Sequence, residues 1–257
     1  MDLTQIVDRS LMQLFGQSWP IFVFVLAVAL LKTLVPGRRT GRRRRGSPAR
    51  SLKPLKAPRT EEERDYDRRL AGVAGELKIR TVVERRYDNS LHDIYLPSRS
   101  GVTQIDHVVL VGGAIVVIET KNYGGLIIGD EKSQKWTQVM GKGSARSTFM
   151  NPIHQNVGHV SAVRMALGGD VTIPIRNLVV FVGDAKFGRP LPENVIVLSN
   201  LSSKLEQIAR EVPEFGPAKD AWPRLCSHCL AKPRSILEAE HRETLSRRNG
   251  RRQGIVA

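Results

Sequence analysis

Asp106, Glu119 and Lys121 are the residues of this 257-residue chain whose types and spacing can act together chemically. They stand in two β-branched runs, Gln104-Ile105-Asp106-His107-Val108-Val109-Leu110-Val111 and Ala114-Ile115-Val116-Val117-Ile118-Glu119-Thr120-Lys121, joined by Gly112-Gly113. A Gly-Gly pair between such runs predicts a two-residue hairpin turn. That turn sets Val111 opposite Ala114, Leu110 opposite Ile115 and, further out, Asp106 opposite Glu119. Directly opposed residues bring their Cβ atoms to about 4.5–5.5 Å. Lys121 shares a face with Glu119, because side chains on a strand repeat every second residue. Apolar neighbours on both faces predict a central hairpin that is covered on both sides.

Two facing carboxylates in a low-dielectric setting repel, so either a pKa rises or a cation joins them. A hard divalent ion such as Mg²⁺ (or Mn²⁺) takes carboxylate oxygens and water as ligands. It activates water and stabilises charge on a phosphoryl oxygen. A neighbouring lysine orients or deprotonates that water, or steadies the developing charge. The competing account has Asp106 and Glu119 capping a hairpin end, with Lys121 neutralising one of them. Structural ion pairs also perturb pKa values, so the spacing alone leaves both open.

The surrounding elements must hold these groups in place. Thr60-Glu61-Glu62-Glu63 is a capping box that opens a helix. Tyr66, Leu70, Val73 and Leu77 follow at spacings that mark one apolar face. Gly72 and Gly75 inside that helix predict the close approach of another element. Strand-like runs follow at residues 93–96, 102–111, 114–121, 126–128 and 135–139. Asn151-Pro152 opens a second helix that runs to about Leu167. Residues 178–182 and 195–198 read as buried strands, and 201–212 as the last helix. The class is α/β, with one mixed sheet flanked by helices.

With the pieces in order, the chain resembles a known family. An Asp, a hairpin spacer and then Glu-x-Lys is similar to the PD-(D/E)XK nuclease core. More narrowly, residues 71–167 resemble the nuclease-related domain. The matching pieces are Gly72-Val73-Ala74-Gly75-Glu76, Gln104-Ile105-Asp106-His107, Glu119-Thr120-Lys121-Asn122-Tyr123, Gly129, Trp136 and Asn151-Pro152-Ile153-His154-Gln155-Asn156. The resemblance implies a restriction-endonuclease-like fold and a metal-dependent phosphodiesterase acting on DNA. By matching position, Asp106 and Glu119 bind the metal with Glu76 as helper. Lys121 orients water or stabilises charge, and Gln155 supports the site or touches the substrate.

The net charge of +15 points to a polyanionic partner, but its distribution qualifies that. Residues 36–59 hold ten Lys or Arg and no acid, whereas residues 60–231 net only +1. The basicity therefore lives in the flanks, and a cationic groove spanning the whole domain is not expected. Two cysteines, Cys226 and Cys229, exclude a secreted disulfide scaffold.

Residues 11–35 are almost wholly apolar, with an unbroken run from Ile21 to Leu31 and Trp19-Pro20 at its leading edge. About 20 apolar residues cross a bilayer core as a helix, and Trp19 suits an interfacial position. A buried core helix conflicts with the arginines that follow directly. A cleaved signal peptide conflicts with the missing basic leader. The reading is a transmembrane helix over about 18–35. The positive-inside rule then gives a single-pass protein of the inner (cytoplasmic) membrane, with its N-terminus outside and everything after residue 36 in the cytoplasm. Residues 36–59 form a basic disordered linker that adheres to anionic membrane lipids or holds nucleic acid by counterion release. The adjacent span favours the lipids.

The expected layout is an N-terminal segment (1–35), the linker (36–59), a nuclease-like domain (60–215) and a basic C-terminal tail with a C-x-x-C (216–257). Cys226 and Cys229 are half of a zinc site, and the ligand count falls short of the usual four. His107 should pack, by strand alternation, while His154, which shares the second helix with Gln155 and His159, lies near the site or, more simply, faces solvent. Trp136 should pack the sheet rather than stack on a base. The expected function is a membrane-anchored, Mg²⁺-dependent deoxyribonuclease. The alternative is a tethered nucleic-acid-binding or interaction module without turnover.

Overall fold

The computed structural model describes residues 60–141, 145–169, 172–213, 216–230 and 232–253. The span expected at 18–35 and the linker at 36–59 lie outside the described residues. Among the described residues, no helix is long and apolar enough to cross a membrane.

Helix α1 (Glu61–Glu84) starts at the expected capping box, where Glu63 N donates to Thr60 Oγ1 and Thr60 N donates to Glu63 Oε2. Its buried face is not the expected one. Gly75, Ile79 and Val83 turn inward, whereas Tyr66, Leu70, Val73 and Leu77 are exposed. Gly75 decides the difference: a Cβ there would lie 2.8 Å from Val182 and 3.0 Å from Asn122, so only glycine lets the helix come this close. Gly72, the other helical glycine, faces open space.

Nine strands follow among the described residues: β1 (Ser90–Ser98), β2 (Gly101–Val111), β3 (Ala114–Lys121), β4 (Gly125–Ile128), β5 (Lys135–Met140), β6 (Ala145–Met150), β7 (Ile175–Phe181), β8 (Ala185–Phe187) and β9 (Val195–Val197). Helix α2 (Pro152–Ala166) separates β6 from β7, and its N-cap Asn151 accepts a hydrogen bond from Ile153 N. A 3₁₀ turn (Leu198–Asn200), α3 (Leu201–Glu211), α4 (Gly216–Leu230) and α5 (Arg234–Gln253) complete the described chain.

The strands build two sheets where the sequence predicts one. The larger has the order β1-β2-β3-β7-β9 and the smaller β6-β5-β4-β8. In the first, β1–β2 and β2–β3 pair antiparallel, while β3–β7 and β7–β9 pair parallel. The parallel partners β3 and β7 leave it together and pair again, as β4 and β8, in the second. The break passes through Gly124 and Gly183, and a Cβ on Gly183 would lie 2.2 Å from the Tyr123 carbonyl oxygen. β6 and β8 carry no clear alternation of apolar residues, which is why the sequence did not betray them.

The hairpin β2–β3 is central and buried on both faces, as predicted. One face packs Ile115, Val117 and Val108 against Ala162, Val163 and Ala166 of α2 and Ala218, Trp222 and Leu225 of α4. The other packs Val109, Val116 and Ile118 against Ile79 and Val83 of α1 and Leu205 and Ile208 of α3. The C-terminal segment is helical where it is described. α4 contributes to the core, and Leu237 of α5 is buried with Tyr95 and Val102.

Candidate active site

The hairpin keeps the register that Gly112-Gly113 implies. Val111 pairs with Ala114 and the ladder runs out to His107 opposite Ile118. Asp106 and Glu119 come next in line, just past the last paired position. There the Thr120 amide donates to Asp106 Oδ2 at 2.8 Å, so the carboxylate itself caps the end of the ladder. The neighbouring ladder is also interrupted at this level. β1 pairs with β2 at His92–His107 and again at Ile94–Ile105, leaving out Asp93. Asp93 has φ +50, a left-handed conformation that Asp tolerates better than most side chains.

Glu119 is only 2% exposed. Its Oε1 lies 2.6 Å from Lys121 Nζ, which also donates to Gln155 Oε1 at 3.1 Å. α2 thus brings Gln155 onto the same lysine that β3 supplies. Its next turn brings His159, whose Nδ1 is 3.3 Å from Glu119 Oε2. That approach is close enough for charge attraction but off the line of a hydrogen bond. Both atoms stay buried and without a hydrogen-bond partner among the described residues.

Electrostatics separates the carboxylates. Burial alone would raise the Glu119 pKa, but Lys121 and His159 outweigh it and hold it below its ordinary value. Burial raises Asp106 well above the usual carboxylate range, and the charges of Glu119 and Glu76 add to that. Glu76, on α1, is pushed up to about 6 by burial and by the charges of Asp93 and Glu119. Burial works against the charged form of Lys121, yet the Glu119 charge outweighs it and raises its pKa. The site thus holds one firm carboxylate–ammonium pair beside two carboxyls that resist ionisation. Carboxyls of that kind are what an added cation would relieve.

The five expected residues fall into two groups. Asp106, Glu119, Lys121 and Gln155 converge at one end of the hairpin. Glu76 is electrostatically coupled to them from α1, which Asn122 fastens to the end of β3 by donating to the Ala71 carbonyl at 2.6 Å. Among the described residues, no group of three or more His, Cys, Asp or Glu side chains is gathered tightly enough to hold a metal ion. Glu76, Asp106 and Glu119 therefore do not form a closed three-carboxylate cage, because Lys121 takes one oxygen of Glu119 and Thr120 one of Asp106. Mg²⁺ does not require such a cage. It keeps several waters and is held by about one or two carboxylates plus substrate phosphate, and Glu119 Oε2 is a buried oxygen without a donor.

Residues 71–182 match the family model described as the nuclease-related domain. This stretch is a nuclease-related domain. It runs from α1 through β7 and contains all five expected residues together with Asp93 and His159. An uncharacterized protein of Bacillus anthracis is 40% identical over 96 residues, 36% of this chain and 44% of that protein. The chain thus spans less than half the length of that curated relative. No solved structure matches the chain. Helices α4 and α5 lie beyond the nuclease-related domain.

Two residues of the site escaped the sequence reading. His159, which shares α2 with Gln155, is buried against Glu119. Its spacing of four from Gln155 places both on one face of α2 and was the available signal. Asp93 is legible only through its tertiary neighbours. His154 is exposed, as expected. His107 packs as expected, 1% exposed, with its Nδ1 2.8 Å from His92 Nδ1. Trp136 is buried, stacked on Phe181 at 6.1 Å, and donates to the Asp130 carbonyl. Cys226 and Cys229 stand on α4 and pack against the core beneath it, where burial and the neighbouring Cys226 push the Cys229 thiol up to about 11.

Proposed function

We propose that the nuclease-related domain hydrolyses phosphodiester bonds of DNA with the help of Mg²⁺ or Mn²⁺. The observation that carries this reading is the convergence of Asp106, Glu119 and Lys121 at one end of a buried hairpin, with Gln155 on the lysine. Glu119 and Asp106 would hold the ion and Glu76 would assist. A bound ion supplies activation of water and neutralisation of charge on the phosphoryl oxygen. Lys121, held charged by Glu119, serves as a donor to developing negative charge rather than as a base. Gln155 fixes the lysine through its carbonyl oxygen and keeps its amide NH₂ free for substrate. The test is hydrolysis of plasmid and linear DNA with Mg²⁺ and with EDTA, by the parent and by Asp106→Ala and Lys121→Ala.

A second reading has a specific observation in its favour. The Lys121–Glu119 pair already supplies the positive charge that a metal would bring, which suits a nucleic-acid-binding module without turnover. That module would bind DNA equally well after Glu119→Ala and would cleave none. In both readings residues 18–35 anchor the chain in the cytoplasmic membrane, with the domain on the cytoplasmic side and residues 36–59 on anionic lipids. Resistance of the chain to carbonate extraction from membranes, lost on deletion of residues 18–35, tests the anchor.

A further inference from the structure

The cleft that opens on Asp106 is walled by a helix from outside the nuclease-related domain. Asp106, Gln155 and His159 line a cleft of about 720 Å³ whose rim carries Arg99, from the turn between β1 and β2, and Arg248, from α5. A second cleft of about 700 Å³ shares Met150, His154 and Arg248 with the first and reaches Lys135 at the start of β5. Each alone has the size of a small-molecule pocket, roughly 300–1,000 Å³. Met150, His154 and Arg248 line both, so the two clefts adjoin there.

α5 is seated on the β1–β2 hairpin by specific contacts. The Val102 amide donates to Thr244 Oγ1 at 3.1 Å, His241 Nδ1 lies 2.9 Å from the Val102 carbonyl oxygen, and Arg234 pairs with Asp93. Gly101, at φ +128, lies so close beneath that a Cβ would fall 2.2 Å from Thr244 Oγ1. Arg248, one helical turn past Thr244, is thereby carried to the joint of the two clefts. Arg247 and Arg234 of the same helix have carboxylate partners. Arg99, Lys135 and Arg248 pair with no carboxylate among the described residues.

Unpaired cations lining adjoining clefts, one of which opens on Asp106, fit a polyanion, and a guanidinium grips phosphate oxygens with two parallel hydrogen bonds. We propose that α5 completes a track for a nucleic-acid strand, with Arg99, Arg248 and Lys135 gripping its phosphates as it passes Asp106. The assignment of the polyanion as a nucleic acid rests on the phosphodiesterase reading. Recognition through phosphates makes the grip independent of base sequence and dependent on salt.

The test is fluorescence anisotropy of a labelled single-stranded oligonucleotide with the full-length chain in EDTA, over a series of KCl concentrations. Each of Arg99→Ala, Lys135→Ala and Arg248→Ala should lower the slope of log affinity against log salt by about 0.7, and the triple variant by about 2. Arg248→Lys should retain the slope, and Arg247→Ala should leave it unchanged. A triple variant with the parental slope, or an Arg247→Ala variant that loses as much as Arg248→Ala, overturns the track. Hydrolysis assays separate this from the catalytic reading. Salt-dependent binding through these residues without any hydrolysis in Mg²⁺ sinks catalysis and leaves the track. Hydrolysis by the triple variant with parental KM does the reverse.

Discussion

His159 and Lys121 approach Glu119 from its two different oxygens, His159 Nδ1 at 3.3 Å from Oε2 and Lys121 Nζ at 2.6 Å from Oε1. The lysine reaches it along its own strand, whereas the histidine arrives from α2. Both lower the Glu119 pKa against the effect of burial, so the carboxylate is ready to accept a cation at neutral pH. Removing His159 should raise that pKa and loosen the orientation of Glu119. His159→Ala is expected to reduce Mg²⁺ affinity or kcat about 10- to 100-fold, with His159→Gln less damaged. Calorimetric titration with Mg²⁺ and steady-state hydrolysis check this together.

With Glu76 assisting the proposed ion, metal binding would depend on pH. Burial, Asp93 and Glu119 raise its pKa to about 6, so below that pH a proton occupies the carboxyl that would face the ion. Ligands must be deprotonated to bind. Mg²⁺ affinity should therefore rise as pH increases through about 6. Glu76→Gln should remove the Glu76 part of this dependence and leave residual binding at Asp106 and Glu119, with the pH dependence that the raised Asp106 carboxyl imposes. Titrations on either side of that pH decide it.

The paired histidines make the fold sensitive to acid. Burial, then the charges of His92 and Arg80, lower the His107 pKa to about 3. At pH 7 the ring is neutral in both folded and unfolded chains and contributes no pH dependence. As pH falls below the ordinary histidine value of 6.5, the unfolded chain takes up the proton and the folded chain does not, so stability is lost down to about pH 3. The loss from this one group should reach about 2 kcal/mol by pH 5. Urea unfolding midpoints across this range should fall less steeply for His107→Leu than for the parent.

Trp136 is a packing residue of the smaller sheet. Its ring stacks on Phe181, and a Cβ on Gly129 would lie within 2.2 Å of it. Trp136→Ala should cost about 3–5 kcal/mol, read from the urea midpoint, and Trp136→Phe distinctly less. The indole donates to the Asp130 carbonyl, so the phenylalanine variant still loses that bond.

The parts of the site that the sequence made legible are local. A Gly-Gly turn sets a register, and a period of two puts Lys121 beside Glu119; neither needs knowledge of the rest of the chain. His159 and Asp93 depend on packing between distant elements. On α1, the stripe from Tyr66 to Leu77 had the right period but the wrong face, because Gly75 against Val182 and Asn122 outweighed the apolar side chains in deciding what came closest. The second sheet was hidden for a related reason. β8 has three residues and β6 is largely exposed, so neither carries the apolar alternation that marks a strand in a core. α4, read as part of a tail because its surroundings are basic, contributes Ala218, Trp222 and Leu225 to the interior.

Supercoiled DNA incubated with the full-length chain and Mg²⁺, and resolved against an EDTA control, tests the central claim most directly. Nicked or linear product is expected with the parent, none in EDTA, and a rate reduced at least about 100-fold by Asp106→Ala and by Glu119→Ala. Equal cleavage by the parent and both variants would contradict it, and so would a parent that binds DNA yet never cuts it with Mg²⁺ or Mn²⁺.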